Sequence, residues 1–328
     1  MSIKTYKQAT WDAMKEEMLR DPSVYAMAED IRGNGGAMGH YLGLGEAIGD
    51  TGRVLDAPIS ETAIVASAVG AALAGMRPVI DMRFSNCLPV CMDELTNQAA
   101  KSRYMFGGQG KVHMVVRCPD GILKMQGAHH TDSLEAWFAH VPGLQVVIPS
   151  SPAEGKGLLK SAIRNDNPVI FFEHKTLFPM EGEVPDEEYT IPIGKARVAR
   201  EGKDVSIIVY GIMVSRALTA ARELAEHSID AEVIDLRTLS PWDKQTVLAS
   251  VRKTGRAVVA HEAVKQGGFG AELSATIAEE AFQSLKGPVV RIGAPFVPIP
   301  MSPGLEDMCR TLPGNIVDAV RQAVGAKD

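Results

Sequence analysis

Residues 56–84 read "DAPISETAIVASAVGAALAGMRPVIDMRF", a polar turn followed by an Ala/Val/Ile/Gly helix and then a β-rich apolar run. A turn, helix and strand in that order form one unit of an α/β fold, in which strands alternate with helices that cross back over the sheet. The alternation continues on both sides of this stretch. Strands are expected at "VYAMA" from residue 24, "PVIDMRF" from 78, "VHMVVR" from 112, "QVVIP" from 145 and "PVIFFE" from 168. Helices are expected at "ETAIVASAVGAALAG", "PVCMDELTNQAAKSRYM", "SLEAWFAH" and "PAEGKGLLKSAIRND". Near-continuous Val/Ile strands suit a parallel sheet buried on both faces.

Beyond residue 177 the chain becomes proline-rich and poor in apolar pairs, as a connector does. The alternation then restarts with "DVSIIVYG", "VSRALTAARELAEH", "AEVIDL", "RAVVAHE", "GAELSATIAEEAF" and "PVVRIG", and closes on "GNIVDAVRQAVGA". With 328 residues there is chain for two cores of ordinary size. The expected organisation is therefore α/β in two domains, 1–185 and 201–328, joined by a linker at 186–200.

Composition narrows the function classes. A net charge of -6 without a basic stripe lacks the electrostatic footprint of nucleic-acid binding. No apolar run reaches the roughly 20 residues of a membrane span. The amino terminus has helical spacing at Trp11, Met14 and Met18 rather than a secretion signal, so a cytoplasmic location is expected. Four scattered cysteines make no disulfide framework and no zinc set, and fit a reducing compartment.

Four features could carry chemistry. The glycine loop "GNGGAMGHYLGLG", residues 33–45, has the wrong spacing for a dinucleotide fingerprint. Gly267, Gly268 and Gly270 in "HEAVKQGGFGAEL" read as turn glycines. Glu61 has two readings: with Ser60 as the helix cap it complements the helix dipole, or, against an apolar wall, it becomes a group suited to sharing a proton. His129 and His130 stand in a loop before a helix capped by Thr131, Asp132 or Ser133, and imidazole is the usual acid or base near neutral pH.

The motifs "LDAPISE", "AVGAALAGMRPV", "MDELTNQAAKSRYMFGG", "SLEAWFAHVPGLQVVIPSSP", "KSAIRNDNPVIFFEHKTL", "EVIDLRTLSP" and "HEAVKQGGFGAEL" resemble, in order, the beta subunits of the thiamine-diphosphate-dependent decarboxylating component of 2-oxo acid dehydrogenase complexes. The pyruvate, branched-chain 2-oxo acid and acetoin enzymes belong to that family. The resemblance implies a transketolase-like pyrimidine-binding domain followed by a transketolase carboxy-terminal α/β domain. It also implies thiamine diphosphate held with an alpha subunit that carries most of the magnesium site, an alpha2-beta2 assembly with a beta-beta dimer, and a lipoyl-bearing acyltransferase as partner.

The resemblance assigns residues too. Glu61 matches the glutamate whose carboxyl bonds the pyrimidine ring nitrogen and favours the imino form that takes the thiazolium proton. His130 matches a histidine that assists acyl transfer. Ile59, Phe84 and Cys87 fall at cofactor-contacting positions, and carbonyls of Met114, Ala162, Asn165 and Asn167 at a structural potassium site. This chain departs from the family in three places. Cys87, in "FSNC", stands where an aromatic residue is common; His129 replaces glutamine; "PDGILKMQG" brings Lys124 and Met125 into a loop usually built of small residues, which points to an altered, anionic substrate. Two further readings are a split ketol transferase and a non-catalytic assembly subunit.

Overall fold

A computed structural model describes residues 1–325; residues 326–328, including the final Ala326 of the expected terminal helix, lie outside the described residues. The chain divides into two units, Met1–Asp120 with Trp137–Ile193, and Gly121–Ala136 with Gly194–Asp328.

In chain order the first part holds β1 (Ser2–Thr5), α1 (Tyr6–Arg20), β2 (Val24–Glu29), two single-turn helices α2 (Ile31–Asn34) and α3 (Leu44–Ala47), β3 (Val54–Ala57), α4 (Glu61–Leu73), β4 (Arg77–Asp81), α5 (Ala100–Met105), β5 (Val115–Asp120), α6 (Glu135–Ala139), β6 (Gln145–Val147), α7 (Pro152–Arg164), β7 (Val169–His174) and β8 (Glu181–Val184). The main strands lie in the order β6-β7-β5-β4-β2-β3 and every pair is parallel. Each of the five expected strands is present.

α1 starts at a capping box between Thr5 and Gln8, and α7 at Pro152, with Ser151 accepting the Glu154 amide. The two helices approach closely because Gly155 has no Cβ; one there would meet the Tyr6 ring at 2.5 Å. Met14, Met18, Val24, Ala26, Leu158 and Phe171 fill the core beneath them.

Three local expectations change. "PVCMDELTNQAAKSRYM" is not one helix: a 3-10 turn over Ser85–Cys91 contains Pro89, a π turn covers Glu94–Ala99, and α-helix begins only at α5. Proline lacks the N–H that a regular helix would use there. Ser60 occupies the N-cap position of α4, yet its side chain caps no amide. Thr131 donates its hydroxyl to the Gly127 carbonyl at 2.6 Å, so it is not spent on capping α6. Strands β1 and β8 pair antiparallel, Ser2 opposite Val184, a clasp with no alternating pattern to reveal it.

The second part holds β9 (Arg197–Arg200), β10 (Val205–Val209), α8 (Met213–Glu226), β11 (Ala231–Asp235), β12 (Thr238–Ser240), α9 (Lys244–Thr254), β13 (Ala257–Val264), α10 (Gly270–Glu280), β14 (Val290–Ala294), α11 (Pro303–Cys309) and α12 (Pro313–Val324). Its sheet runs β14-β13-β10-β11-β9, parallel except for the antiparallel edge strand β9. His261 on β13 is fully buried. A Cβ on Gly268, Gly270 or Gly293 would stand 2.5, 2.8 or 2.8 Å from its ring. Gly268 and Gly270 therefore make room for an imidazole, in addition to turning the chain.

Candidate active site

The carboxyl ends of the parallel strands in the first unit bring ionisable residues to one edge of the sheet. β2 ends in Glu29, β4 in Asp81, β5 in Asp120 and β7 in His174. β3 ends at Ala57, opposite Glu29 in register, and a three-residue turn then delivers Glu61 as the first residue of α4. In open α/β sheets this edge is where ligands bind.

Glu61 is half-buried, and Ile59, in the turn before it, is 80% exposed. Glu29 is 8% exposed. Burial, and next the charge of Glu61, push the Glu29 carboxyl above its ordinary range, while Arg83 opposes them. Arg83 reaches Glu29 at 3.5 Å and Asp30 at 3.0 Å. Cys87 is also half-buried; its amide donates to the Phe84 carbonyl at 3.0 Å. Burial raises the thiol's pKa, the Phe84 backbone contact opposes this, and the neighbouring Glu61 carboxylate adds to the rise. Cys87 is therefore a protonated thiol at neutral pH. The Phe84 ring carries the Lys175 ammonium 4.8 Å from its centroid. Ile59, Glu61, Phe84 and Cys87 thus gather on one edge with Glu29, a residue that sequence reading did not select.

Behind this edge lies a charged network, also unread from sequence. Arg117 and Glu173 are both fully buried and joined by two 2.7 Å bonds, and the Tyr6 hydroxyl donates to Glu173 at 2.9 Å. The Arg117 guanidinium sits 5.0 Å from the Tyr41 ring centroid. His40 Nε2 lies 2.7 Å from Asp81 Oδ2; burial raises the Asp81 carboxyl to about 7 and lowers the His40 imidazole well below its ordinary value. The available signal was one charge in each of two apolar strands, "VVRC" and "FFEH": a buried charge requires a partner.

His129 and His130 are exposed in a 3-10 turn, Ala128–His130, that belongs to the second unit. The four residues expected at a potassium site lie at the opposite, amino-terminal edge of the first sheet, just before β5 and β7. The Met114 carbonyl accepts from the Val169 amide at 2.9 Å and the Ala162 carbonyl from the Asn165 amide at 3.2 Å. Arg77 donates to the carbonyls of Ile163 and Asn165, both at 3.0 Å, and Arg103 to the Asn167 side chain at 2.6 Å. The donors are hard oxygens, as potassium requires, but a guanidinium already meets one of them. Among the described residues no group of three or more His, Cys, Asp or Glu side chains could hold a metal ion.

Residues 3–181 match the transketolase pyrimidine binding domain and residues 194–316 the transketolase C-terminal domain. The chain is 46% identical, over 97% of its length and 96% of the relative's, to the acetoin:2,6-dichlorophenolindophenol oxidoreductase subunit beta of Cupriavidus necator. This chain belongs to the transketolase-like dehydrogenase beta subunits. Within that family it is 40% identical to the 2-oxoisovalerate dehydrogenase subunit beta of Bacillus subtilis, over 98% of this chain and 99% of the other. It is 45% identical to that organism's pyruvate dehydrogenase E1 component subunit beta, over 92% and 93%. A split gene transketolase, described as an inactive beta4 tetramer, shares the fold with a TM-score of 0.82 at 24% identity, over 98% of this chain and 99% of the other. Its low identity extends the likeness to fold alone. The family consists of thiamine-dependent oxidoreductase subunits, which agrees with the fold and function expected from the sequence motifs.

The carboxyl-edge cluster suits the aminopyrimidine half of thiamine diphosphate. A ring nitrogen can share a proton with a half-buried carboxyl, and the flat ring faces need apolar neighbours such as Ile59 and Phe84.

Proposed function

We propose that this chain is the beta subunit of an alpha2-beta2 enzyme that cleaves the carbon-carbon bond next to a carbonyl, in a 2-oxo acid or acetoin, and hands the acyl group to a lipoyl domain. The observation that carries the reading is the position of Glu61: a half-buried carboxylate at the carboxyl edge of the sheet, one residue past the turn, with Glu29 beside it. Thiamine diphosphate, held at its pyrimidine end by Glu61, Ile59, Phe84 and Cys87, would supply the nucleophilic carbon and the electron sink for this chemistry.

The residues of this chain have three tasks in that scheme. Glu61 shares a proton with the pyrimidine ring nitrogen. Ile59, Phe84 and Cys87 line the ring, with the Cys87 thiol filling the place of an aromatic neighbour and leaving a smaller stacking surface. His130 assists proton movement during acyl transfer. Magnesium is assigned mainly to the alpha subunit. Potassium is assigned to the second lone pairs of the Met114, Ala162, Asn165 and Asn167 carbonyls; a thermal midpoint rising with potassium chloride and not with sodium chloride would support this, and equal effects of the two salts would remove it. The assembly is read as cytoplasmic, with a beta-beta dimer within it and a lipoyl-bearing acyltransferase as partner.

The test is to purify the chain with its alpha subunit, thiamine diphosphate and magnesium. Dye reduction is then followed with acetoin, neutral and acidic 2-oxo acids, and sugar phosphates. Reduction by one 2-oxo acid or by acetoin, lost in Glu61→Gln, is the expected result. Turnover of sugar phosphate without lipoamide would move the assignment to ketol transfer, and silence across the panel from a complex that binds the cofactor would move it to assembly.

A further inference from the structure

The loop that bears His130 is shaped by a pair of carboxylates far away in the chain. Glu262 on β13 is 6% exposed and Glu306 on α11 is fully buried. One Glu262 oxygen accepts the Ile122 amide at 2.8 Å, and the other is bound by Arg216. One Glu306 oxygen accepts the Met125 amide at 2.8 Å, and the other takes Arg310 at 2.9 Å. The two anchors are built alike, with half of each carboxylate on a loop amide and half on a guanidinium that fixes its direction. Arg216 is held in turn by the Thr311 carbonyl at 3.1 Å. The Ile122 side chain adds an apolar anchor with Ile299 and Cys309.

These contacts force an unusual path. Gly121, Met125 and Gly127 have φ of 76°, 64° and 71°, and a long unbranched residue in the left-handed region marks a backbone held there by its surroundings. The turn that follows is tied to the same segment, since the Gly127 carbonyl accepts from both the His130 amide at 3.3 Å and the Thr131 hydroxyl at 2.6 Å. The shape set at Ile122 and Met125 is thereby passed on to His130. A loop needing no fixed shape would not have two desolvated carboxylates committed to its amides.

We infer that Glu262 and Glu306 are positioning residues for acyl transfer: they hold the 121–131 loop in one conformation so that His130 is presented in a fixed place. The inference rests on the assignment of His130 made above. Neither carboxylate touches substrate; both act through the backbone of the loop.

The experiment uses the complex with the alpha subunit and two readouts. Hydrogen exchange follows the amides of residues 121–131, and kinetics separate dye reduction from acyl transfer to lipoamide. In Glu306→Ala the loop amides exchange faster and acyl transfer falls about 10- to 100-fold, while thiamine diphosphate affinity and dye reduction stay within about twofold. Glu306→Gln, which keeps an oxygen for the Met125 amide, restores most of the transfer rate. Glu262→Gln and Glu262→Ala repeat the pair at the other anchor if a Glu306 variant does not fold. Unchanged loop exchange, or faster exchange with full acyl transfer, overturns the inference. His130→Ala with normal acyl transfer would instead overturn the reading beneath it, while the exchange data would still report whether the anchors hold the loop.

Discussion

Glu61 and His130 are placed by opposite means. Glu61 follows from local structure: a strand ends, a short turn reverses, and a helix starts on the carboxylate, all within residues 54–61. His130 depends on partners 140 and 181 residues away from the amides that they hold. The difference teaches where each is vulnerable. A locally built group is disturbed by changes in its own segment, whereas a loop-borne group can be displaced from anywhere in the set of contacts that shape the loop.

The largest effect is expected from Glu61→Gln. If this carboxyl shares a proton as proposed, its replacement should lower turnover by about 100- to 10,000-fold with an unchanged circular dichroism spectrum and melting profile; near-normal turnover would remove Glu61 from the chemistry. Arg117→Met tests the support behind that edge. It strands the buried Glu173 carboxylate and should cost about 3–5 kcal/mol, read from the denaturant midpoint. A cost below about 1 kcal/mol would mean that the pair is dispensable.

The loop-borne residue should give a smaller and more selective loss. His130→Asn is expected to reduce acyl transfer about 10- to 100-fold and to spare dye reduction; equal losses in both assays would place the histidine in the first half of the reaction. The last effect, read as a slope and not as a single loss, concerns Asp81. Its carboxyl, held near pH 7 in the fold against an ordinary 3.8, contributes stability that is full below about pH 4 and fades as pH rises through 7. Asp81→Asn should remove a slope of at most about 1.4 kcal/mol per pH unit across that window. Parallel stability profiles for the two proteins would show that Asp81 ionises normally.

The same contrast governs how much was legible in the sequence. Strands β2, β4, β5, β6 and β7 announce themselves as apolar runs because both faces of their sheet are buried, and α4 because its turn and its composition change within a few residues. Glu61 could be singled out for the same reason. Glu29 could not: a glutamate at the end of "VYAMAE" looks like any strand terminus, and its interest arises only when β3 pairs beside β2 and brings Glu61 close. His40 with Asp81, and Arg117 with Glu173, are pairings between separate strands and loops, which periodicity does not encode. The anchors Glu262 and Glu306 were silent for the same reason. Strand β9 falls in a stretch whose composition reads as connector, since a four-residue antiparallel edge strand needs little apolar surface.

The ring of His261 illustrates a constraint of another kind. It touches the positions where Gly268, Gly270 and Gly293 would carry side chains, on segments separated in sequence but meeting around one imidazole. Alanine at any of the three would collide with the ring, but at Gly268 and Gly293 it would also meet the backbone carbonyl oxygens of Val264 and Ala263 at 2.7 and 2.8 Å, so a smaller residue in place of His261 would relieve Gly270 alone. Substitution of Gly270 is therefore history-dependent, since alanine there has room only after His261 has changed, whereas Gly268 and Gly293 stay fixed by the backbone whatever the order of events.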